Sequence, residues 1–382
     1  MVYLDCAATG ALKPPSVKDA VADFLENVGA SPGRSAHRLA VESGRIVFEC
    51  REAVAQLLGA PDSSSVVFTL NATHALNLAF LGLLREGDRV VTTSMEHNSV
   101  MRPLKYLQSK NTIELDVVEC APDGRLDPAR LKASVTAGTR MVAATHASNV
   151  VGTVLPAAQI AEIAHDAGAL LLLDAAQTAG VYPVNVEKLG VDVLACSGHK
   201  GLLGPHGTGV LYVREGLQIE AVLRGGTGSE SGLTEQLDFM PDKLECGTHN
   251  AVGIAGLKAG VGFILGETVE KIRKHEIRLT EKMLEGLAAV DGVNVYGTRD
   301  PRKQTSTVSF NIKGMEPSEV GHMLDREYDI AVRVGLHCAP VAHQTMNTYP
   351  HGAVRASAGY LNKEEDIDAL IAAVREIASG KK

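Results

Sequence analysis

Val193-Leu194-Ala195-Cys196-Ser197-Gly198-His199-Lys200 carries an unbroken apolar run straight to a lysine. An ammonium group at the end of a buried strand loses its hydration, which is costly. The cost disappears when the charge on the nitrogen is consumed, for example by imine formation with an aldehyde. Upstream, Leu170-Leu171-Leu172-Leu173 runs into Asp174 in the same way. In a pyridoxal-phosphate site a lysine forms the Schiff base and an aspartate pairs with the protonated pyridine nitrogen. The chain offers one of each, both where a buried strand surfaces.

The surroundings of this stretch set the fold class. Between about residues 66 and 213, short apolar runs at 66–70, 89–93, 113–118, 141–145, 169–173, 191–195 and 209–213 alternate with helix-periodic segments such as 72–84 and 157–167. That alternation predicts an α/β domain with a mostly parallel sheet. Ligands of such sheets sit at the carboxyl ends of the strands. His97, Asn149, Asp174 and Lys200 all fall just past such an end. After the Gly-rich stretch 224–232 the pattern changes to a long helical segment over 252–290. Runs at 306–312, 330–334 and 354–358 follow, with a helix near 317–327 and a last one from Lys363. This reads as a smaller α+β domain. The expected division is a large domain over 15–255 and a small one over 256–382, joined by the N-terminal segment 1–14.

Composition narrows the function classes. At 382 residues the chain exceeds the usual limit of a single core. Its formal charge of −8 is spread along the chain without a basic run, which speaks against nucleic-acid binding and against an anionic membrane surface. The six cysteines form no C-x-x-C pair, so no zinc ribbon and no metal site are expected. With neither a signal-peptide pattern nor an apolar run of about 20 residues, the expected location is cytoplasmic, with the cysteines as thiols.

Several residues have both a structural and a functional reading. Phe68-Thr69-Leu70-Asn71-Ala72-Thr73 places Asn and Thr where a strand meets a helix, a suitable phosphate cradle. Asn71 alone would be an ordinary N-cap. Ser197 and His199 flank the lysine and could add donors. Gly201, Gly204, Gly207 and Gly209 suggest backbone packed closely around something. His97 could be a turn residue or a flat ring stacked on a planar cofactor. Cys338, in Arg333-Val334-Gly335-Leu336-His337-Cys338-Ala339-Pro340, sits in a loop-like context beside a histidine and near an arginine. Neighbouring cations favour a nucleophilic thiolate. Cys6, Cys50, Cys120, Cys196 and Cys246 read as inert core thiols. Arg355, inside the apolar run Ala353-Val354-Arg355-Ala356-Ser357, suits either capture of a carboxylate or a structural ion pair.

Nearly end to end, the chain resembles a class V aminotransferase-fold enzyme, and most closely the group II (Suf-type) cysteine desulfurases. The resemblance rests on Tyr3-Leu4-Asp5-Cys6-Ala7-Ala8-Thr9, the Asn71–Thr73 turn, Glu96-His97-Asn98 and Ala147-Ser148-Asn149-Val150-Val151-Gly152-Thr153. It continues through Asp174-Ala175-Ala176-Gln177, Ser197–Lys200, Glu245-Cys246-Gly247-Thr248, the Cys338 loop and Arg355-Ala356-Ser357. It implies a fold-type I pyridoxal-phosphate-dependent transferase whose cofactor is pyridoxal 5′-phosphate. Lys200 would hold the cofactor, Asp174 its pyridine nitrogen and Gln177 its phenolic oxygen, with His97 stacked on the ring. Asn71, Ala72, Thr73, Ser197 and His199 would bind the phosphate, with Thr248 reaching in from a second subunit. Asn149, Arg355, Arg333 and His37 would serve the substrate. Cys338 would take the sulfur of L-cysteine as a persulfide, leaving L-alanine, with Lys200 as proton carrier.

The same resemblance implies a homodimer and a protein that accepts the sulfur. Iron–sulfur clusters, tRNA thiolation and cofactor biosynthesis all stay open as destinations. Selenocysteine lyase and cysteine sulfinate desulfinase would use nearly the same site, and a class V aminotransferase the same fold. Three positions depart from the family pattern: Leu336 for a second histidine, His74 for a glutamate and Leu70 for an arginine.

Overall fold

The computed structural model describes residues 1–33, 37–230 and 232–380. The chain opens with strand β1 (Val2–Tyr3) and helices α1 (Pro15–Asp23) and α2 (Arg38–Leu58). Next come β2 (Val66–Thr69), α3 (Ala72–Leu83), β3 (Asp88–Thr93), α4 (Asn98–Ser109), β4 (Ile113–Val118), α5 (Pro128–Ser134), β5 (Thr139–Thr145) and α6 (Ala157–Asp166). They lead to β6 (Leu170–Asp174), β7 (Val193–Ser197), β8 (Gly209–Val213) and the helices α7 (Ala251–Glu267) and α8 (Val269–Ala288). The remainder is β9 (Val293–Val295), β10 (Thr307–Ile312), α9 (Pro317–Tyr328), β11 (Ile330–Ala331), β12 (Arg333–Gly335), α10 (Pro340–Thr345), β13 (Ala353–Ser357) and α11 (Glu364–Ser379).

β2 to β8 form one seven-stranded sheet in the order β2-β8-β7-β6-β5-β3-β4. β8 runs antiparallel to both its neighbours, and the other pairs are parallel. β6, β7 and β8 are buried throughout, as expected of strands covered on both faces. One apolar cluster fills the side of α2, α6 and α7, another the side of α3 and α4. The chain order reverses between β3 and β5. Such a reversal opens a crevice at the strand ends, and β2, β3, β5, β6 and β7 all deliver their carboxyl ends to that edge.

A second, four-stranded sheet has the order β12-β13-β10-β9 and packs with α8, α9 and α11. β1 pairs in parallel with β11, which brings the N-terminal segment to these C-terminal elements. The helical stretch expected over 252–290 is two helices bent by 83°. The bend is at Thr268, where φ is +70°. An expected division at residue 255 falls inside α7, whose Leu257, Val261 and Ile264 pack with the large sheet's core. No single helix among the described residues is long and apolar enough to cross a membrane.

Two of the glycines after Lys200, Gly201 and Gly209, pack against the protein's own backbone. A Cβ on Gly201 would lie 2.6 Å from the Ala179 carbonyl oxygen, and one on Gly209 2.6 Å from the Asn71 backbone. The second contact presses the start of β8 against the β2–α3 turn and so fixes one wall of the site.

Candidate active site

The strand ends converge on a cavity of about 260 Å³. Lining it are Asn71, Ala72, Thr73, His97, Asn149, Asp174, Gln177, Ser197, His199, Lys200, Arg333 and Arg355, all named from the sequence. Ser99, Thr145 and His337 line it as well.

At the end of β6, the Asp174 carboxylate is 4% exposed and accepts a hydrogen bond from the Ala176 amide at 2.9 Å. Burial raises its pKa, opposed by that amide and by the Lys200 charge. Just past β7, burial pulls the Lys200 pKa down to about 8, against the pull of Asp174. A buried acid short of a cation and an amine inclined to be neutral are the two electronic conditions of a pyridine-aldehyde site. Gln177 donates to the Ala7 carbonyl at 3.0 Å, which fixes its amide at the wall.

The phosphate-side expectation maps onto the start of α3. Asn71 is indeed the N-cap, its Oδ1 accepting from the His74 amide at 2.9 Å, so the structural reading of that side chain is realised. The Ala72 amide points to Ser197 Oγ at 3.3 Å. Thr73 and Ser99 hydroxyls meet at 2.7 Å, and Ser99 Oγ lies 2.8 Å from His97 Nδ1. His97 caps α4 through that same nitrogen. Burial, reinforced by Lys200 and Arg333, lowers its pKa to about 4, so the ring is neutral. Beneath it, Glu96 is wholly buried, and its Oε1 accepts from Thr93 Oγ1 at 2.6 Å and from the Thr145 amide at 2.9 Å. Burial lifts Glu96 to about 8. The Glu96 carboxyl thus ties the ends of β3 and β5 together under the cavity.

On the opposite wall, β12 and β13 set Arg333 directly across from Arg355. Like charges facing each other across strands are destabilising. Arg355, 1% exposed, sends Nη2 to Asp5 at 2.7 Å and Nη1 to the Asn149 carbonyl at 2.8 Å, while its Nε has no partner. Asp5 offsets one of the two charges. Arg333 has no carboxylate partner among the described residues, and its Nη2 lies 3.7 Å from Cys338 Sγ. Asn149 spends an amide proton on the His337 carbonyl at 2.7 Å and keeps Oδ1 unpartnered. The free atom is an acceptor, which suits an ammonium or imine N–H, whereas the arginine pair suits a carboxylate.

Cys338 is exposed and lines an adjoining groove whose wall includes Thr73, His97 and Ser99, residues shared with the main cavity. Two expected residues lie elsewhere in the single chain. His37 is the exposed N-cap of α2, with its Nδ1 3.3 Å from the Ala40 amide. Thr248 is exposed and lines a groove with Leu70, His74, Leu223 and Cys246. There two of the three departures meet, His74 Nδ1 accepting from the Leu70 amide at 3.2 Å. The sequence reading passed over Ser99 and Thr145, which present no motif of their own. It also gave Asp5 and Glu96 no role, although both lie in quoted stretches.

The residues present fit pyridoxal phosphate: Lys200 and Asp174 on adjacent strand ends, hydroxyls and a helix start at one end, and unpartnered Arg355 Nε and Asn149 Oδ1 at the other. Comparison with known proteins agrees. The class V aminotransferase family model matches residues 2–370. A probable cysteine desulfurase of Methanothermobacter thermautotrophicus is 39% identical, with 99% of this chain and 94% of that one covered. An apo cysteine desulfurase structure from Thermococcus onnurineus superposes with a TM-score of 0.94 at 36% identity, covering 99% of this chain and 95% of that one. The Escherichia coli cysteine desulfurase CsdA, in a structure described as S-sulfonic acid, gives 0.88 at 30% identity, over 99% and 94%. The chain therefore belongs to the class V aminotransferase family, among its cysteine desulfurases.

Proposed function

We propose that this chain is a pyridoxal 5′-phosphate-dependent cysteine desulfurase of the group II branch, which converts L-cysteine to L-alanine and takes the sulfur as a persulfide on Cys338. The observation that carries the reading is an exposed cysteine on a groove that shares its wall with the cavity of Lys200, Asp174, Gln177 and His97. When bound, the cofactor supplies an electron sink that renders the substrate Cα–H acidic and the Cβ–Sγ bond labile. Lys200 holds the cofactor, and its Nζ, once released and neutral, takes the Cα proton and hands it on. Asp174 holds the pyridine nitrogen, Gln177 the phenolic oxygen, and the neutral His97 ring covers one face. Asn71, Ala72, Thr73, Ser197 and His199 hold the phosphate.

Arg355 and Arg333 grip the substrate carboxylate, and Asn149 Oδ1 accepts from its nitrogen. The Cys338 thiolate forms an S–S bond to the substrate sulfur as the Cβ–Sγ bond breaks, and the pair left on carbon takes up a proton. Arg333 orients the sulfur on both sides of this transfer. The reading includes a homodimer in which the partner's Thr248 completes the phosphate site, and exposed Leu70 and Leu223 in the Thr248 groove support such a contact. It also includes His37 at the partner's substrate entrance, a cytoplasmic location, a protein acceptor for the sulfur, and a two-domain division with Cys338 and Arg355 on the smaller part.

A visible spectrum before and after L-cysteine, with alanine and sulfide quantified under reductant, tests the reading. Loss of the cofactor band's shift, or a shift without alanine, would count against it. Cys338→Ala should abolish persulfide formation, and an intact persulfide yield would remove the sulfur-acceptor role.

A further inference from the structure

Under the Cys338 loop lies a chain of buried side chains that the reaction described above does not use. His337 and His343 are 3% and 0% exposed, and His337 Nδ1 sits 3.2 Å from His343 Nε2. At the far end, His343 Nδ1 is 2.7 Å from Thr348 Oγ1, and at the near end His337 Nε2 is 3.4 Å from the Arg333 carbonyl. Burial holds both rings neutral, His337 near 2 and His343 near 4.

The direction of the chain follows from its last member. A carbonyl oxygen only accepts, so His337 carries its proton on Nε2 and leaves Nδ1 as an acceptor. His343 must then donate from Nε2, and its Nδ1 accepts from the Thr348 hydroxyl. The hydroxyl's other acceptor, the His343 carbonyl at 3.3 Å, is the longer contact. One consistent proton order thus runs from Thr348 to the backbone of Arg333, the residue whose guanidinium faces Cys338 Sγ.

The loop itself needs such support. His337 and Cys338 both adopt left-handed backbone, with φ of +50° and +57°, a conformation that side chains with a Cβ rarely hold unaided. Asn149 grips the His337 carbonyl and the Asn98 amide grips the Cys338 carbonyl at 2.8 Å, while the His337 side chain is held between His343 on one ring nitrogen and the Arg333 carbonyl on the other.

We propose that His343 is a positioning residue for sulfur transfer: by fixing the tautomer and the plane of His337 it keeps the Cys338 turn strained and the thiol presented to the substrate. This inference rests on Cys338 being the sulfur acceptor. Its signature is selectivity between substrates, because selenium departs more readily without thiolate attack than sulfur does. In the holoenzyme, His343→Leu should lower kcat/KM for L-cysteine by about 10-fold or more while L-selenocysteine turnover stays within about 2-fold. His343→Gln, which can still donate to His337 Nδ1, should recover most of the loss, and Thr348→Val should show a smaller loss of the same selectivity. If His343→Leu does not fold, the glutamine and Thr348 variants decide by the same ratio. A parallel fall on both substrates, or no fall on L-cysteine, would overturn the proposal. Cys338→Ala separates the two levels: L-cysteine activity persisting there defeats the acceptor reading itself. Activity lost there but normal in His343→Leu defeats only the positioning role.

Discussion

Arg355→Lys is the sharpest perturbation of the substrate wall, because it keeps the charge and removes the fork. Arg355 spends two bonds on the protein, one to Asp5 at 2.7 Å and one to the Asn149 carbonyl at 2.8 Å. The rest of the guanidinium can meet a carboxylate in parallel with those contacts. A lysine has a single nitrogen. If it satisfies Asp5 and Asn149, it has one N–H left, so a two-point hold on the substrate becomes at best one. A hydrogen bond between charged groups is worth about 1.5–3 kcal/mol, which is about 10- to 150-fold in kcat/KM at about 1.4 kcal/mol per decade. Alanine formed from L-cysteine under reductant is the assay, with the visible band confirming that cofactor stays bound. Should the carboxylate contact be uniform along the reaction, KM carries the change and kcat does not. Cysteamine, which lacks the carboxylate, should inhibit wild type and variant equally. A fall below about 3-fold, or an equal loss of cysteamine affinity, would refute the assignment of Arg355 to the carboxylate.

Two pH dependences follow from buried groups. Imine formation needs the neutral amine, and burial brings Lys200 down to about 8 from an ordinary 10.5. The rate at which apo-protein takes up pyridoxal phosphate should rise about tenfold per pH unit and level off near pH 8, and a rate still climbing at pH 10 would contradict the buried-amine argument. Glu276 on α8 is 2% exposed, has an unpartnered Oε2, and lines a second cavity with Cys6 and Tyr360 behind Gln177 and Lys200. Burial lifts it from 4.5 to about 8. Across that window the folded chain keeps a proton that the unfolded chain has released, so stability present below 4.5 is lost as pH rises toward 8. Glu276→Gln should gain on wild type by about 1.4 kcal/mol per pH unit over this range in denaturant titrations. A difference that does not change with pH would show that Glu276 is ionised in the folded state.

How legible the fold was depends on where each signal resides. The inner strands of the large sheet were readable because strands covered on both faces must be apolar throughout, and Leu170–Asp174 or Val193–Ser197 show this in a few consecutive residues. β1 is a strand only by virtue of a partner far away in sequence, Val2 pairing with Ile330, and the three-residue β9 only through its pairing with β10, Val295 with Phe310. Composition carries no trace of that. The break between α7 and α8 was hidden for another reason. A β-branched threonine at positive φ gives no warning in a helical pattern, and it is tolerated because Thr268 donates to the Ile264 carbonyl and caps α8 through Lys271.

The same distinction governs the site. Lys200, Asp174, His97 and the Asn71–Thr73 turn were legible because each sits at or just past the end of its own strand, and the sheet then does the gathering. Arg355 was ambiguous between ion pair and ligand contact; the structure shows the ion pair, and its register places it on the cavity wall where the proposed carboxylate contact would be made. Asp5, 350 positions away, takes one Nη nitrogen, while β12 and β13 hold Arg333 across from Arg355 on the cavity wall. Had the pair served stability alone, one arginine and one aspartate would suffice, since a second facing cation only adds repulsion. In the proposed function an entering carboxylate would relieve the extra positive charge. On the proposed reading, a wall that keeps two arginines and one aspartate serves an anionic substrate as well as the fold's own cohesion.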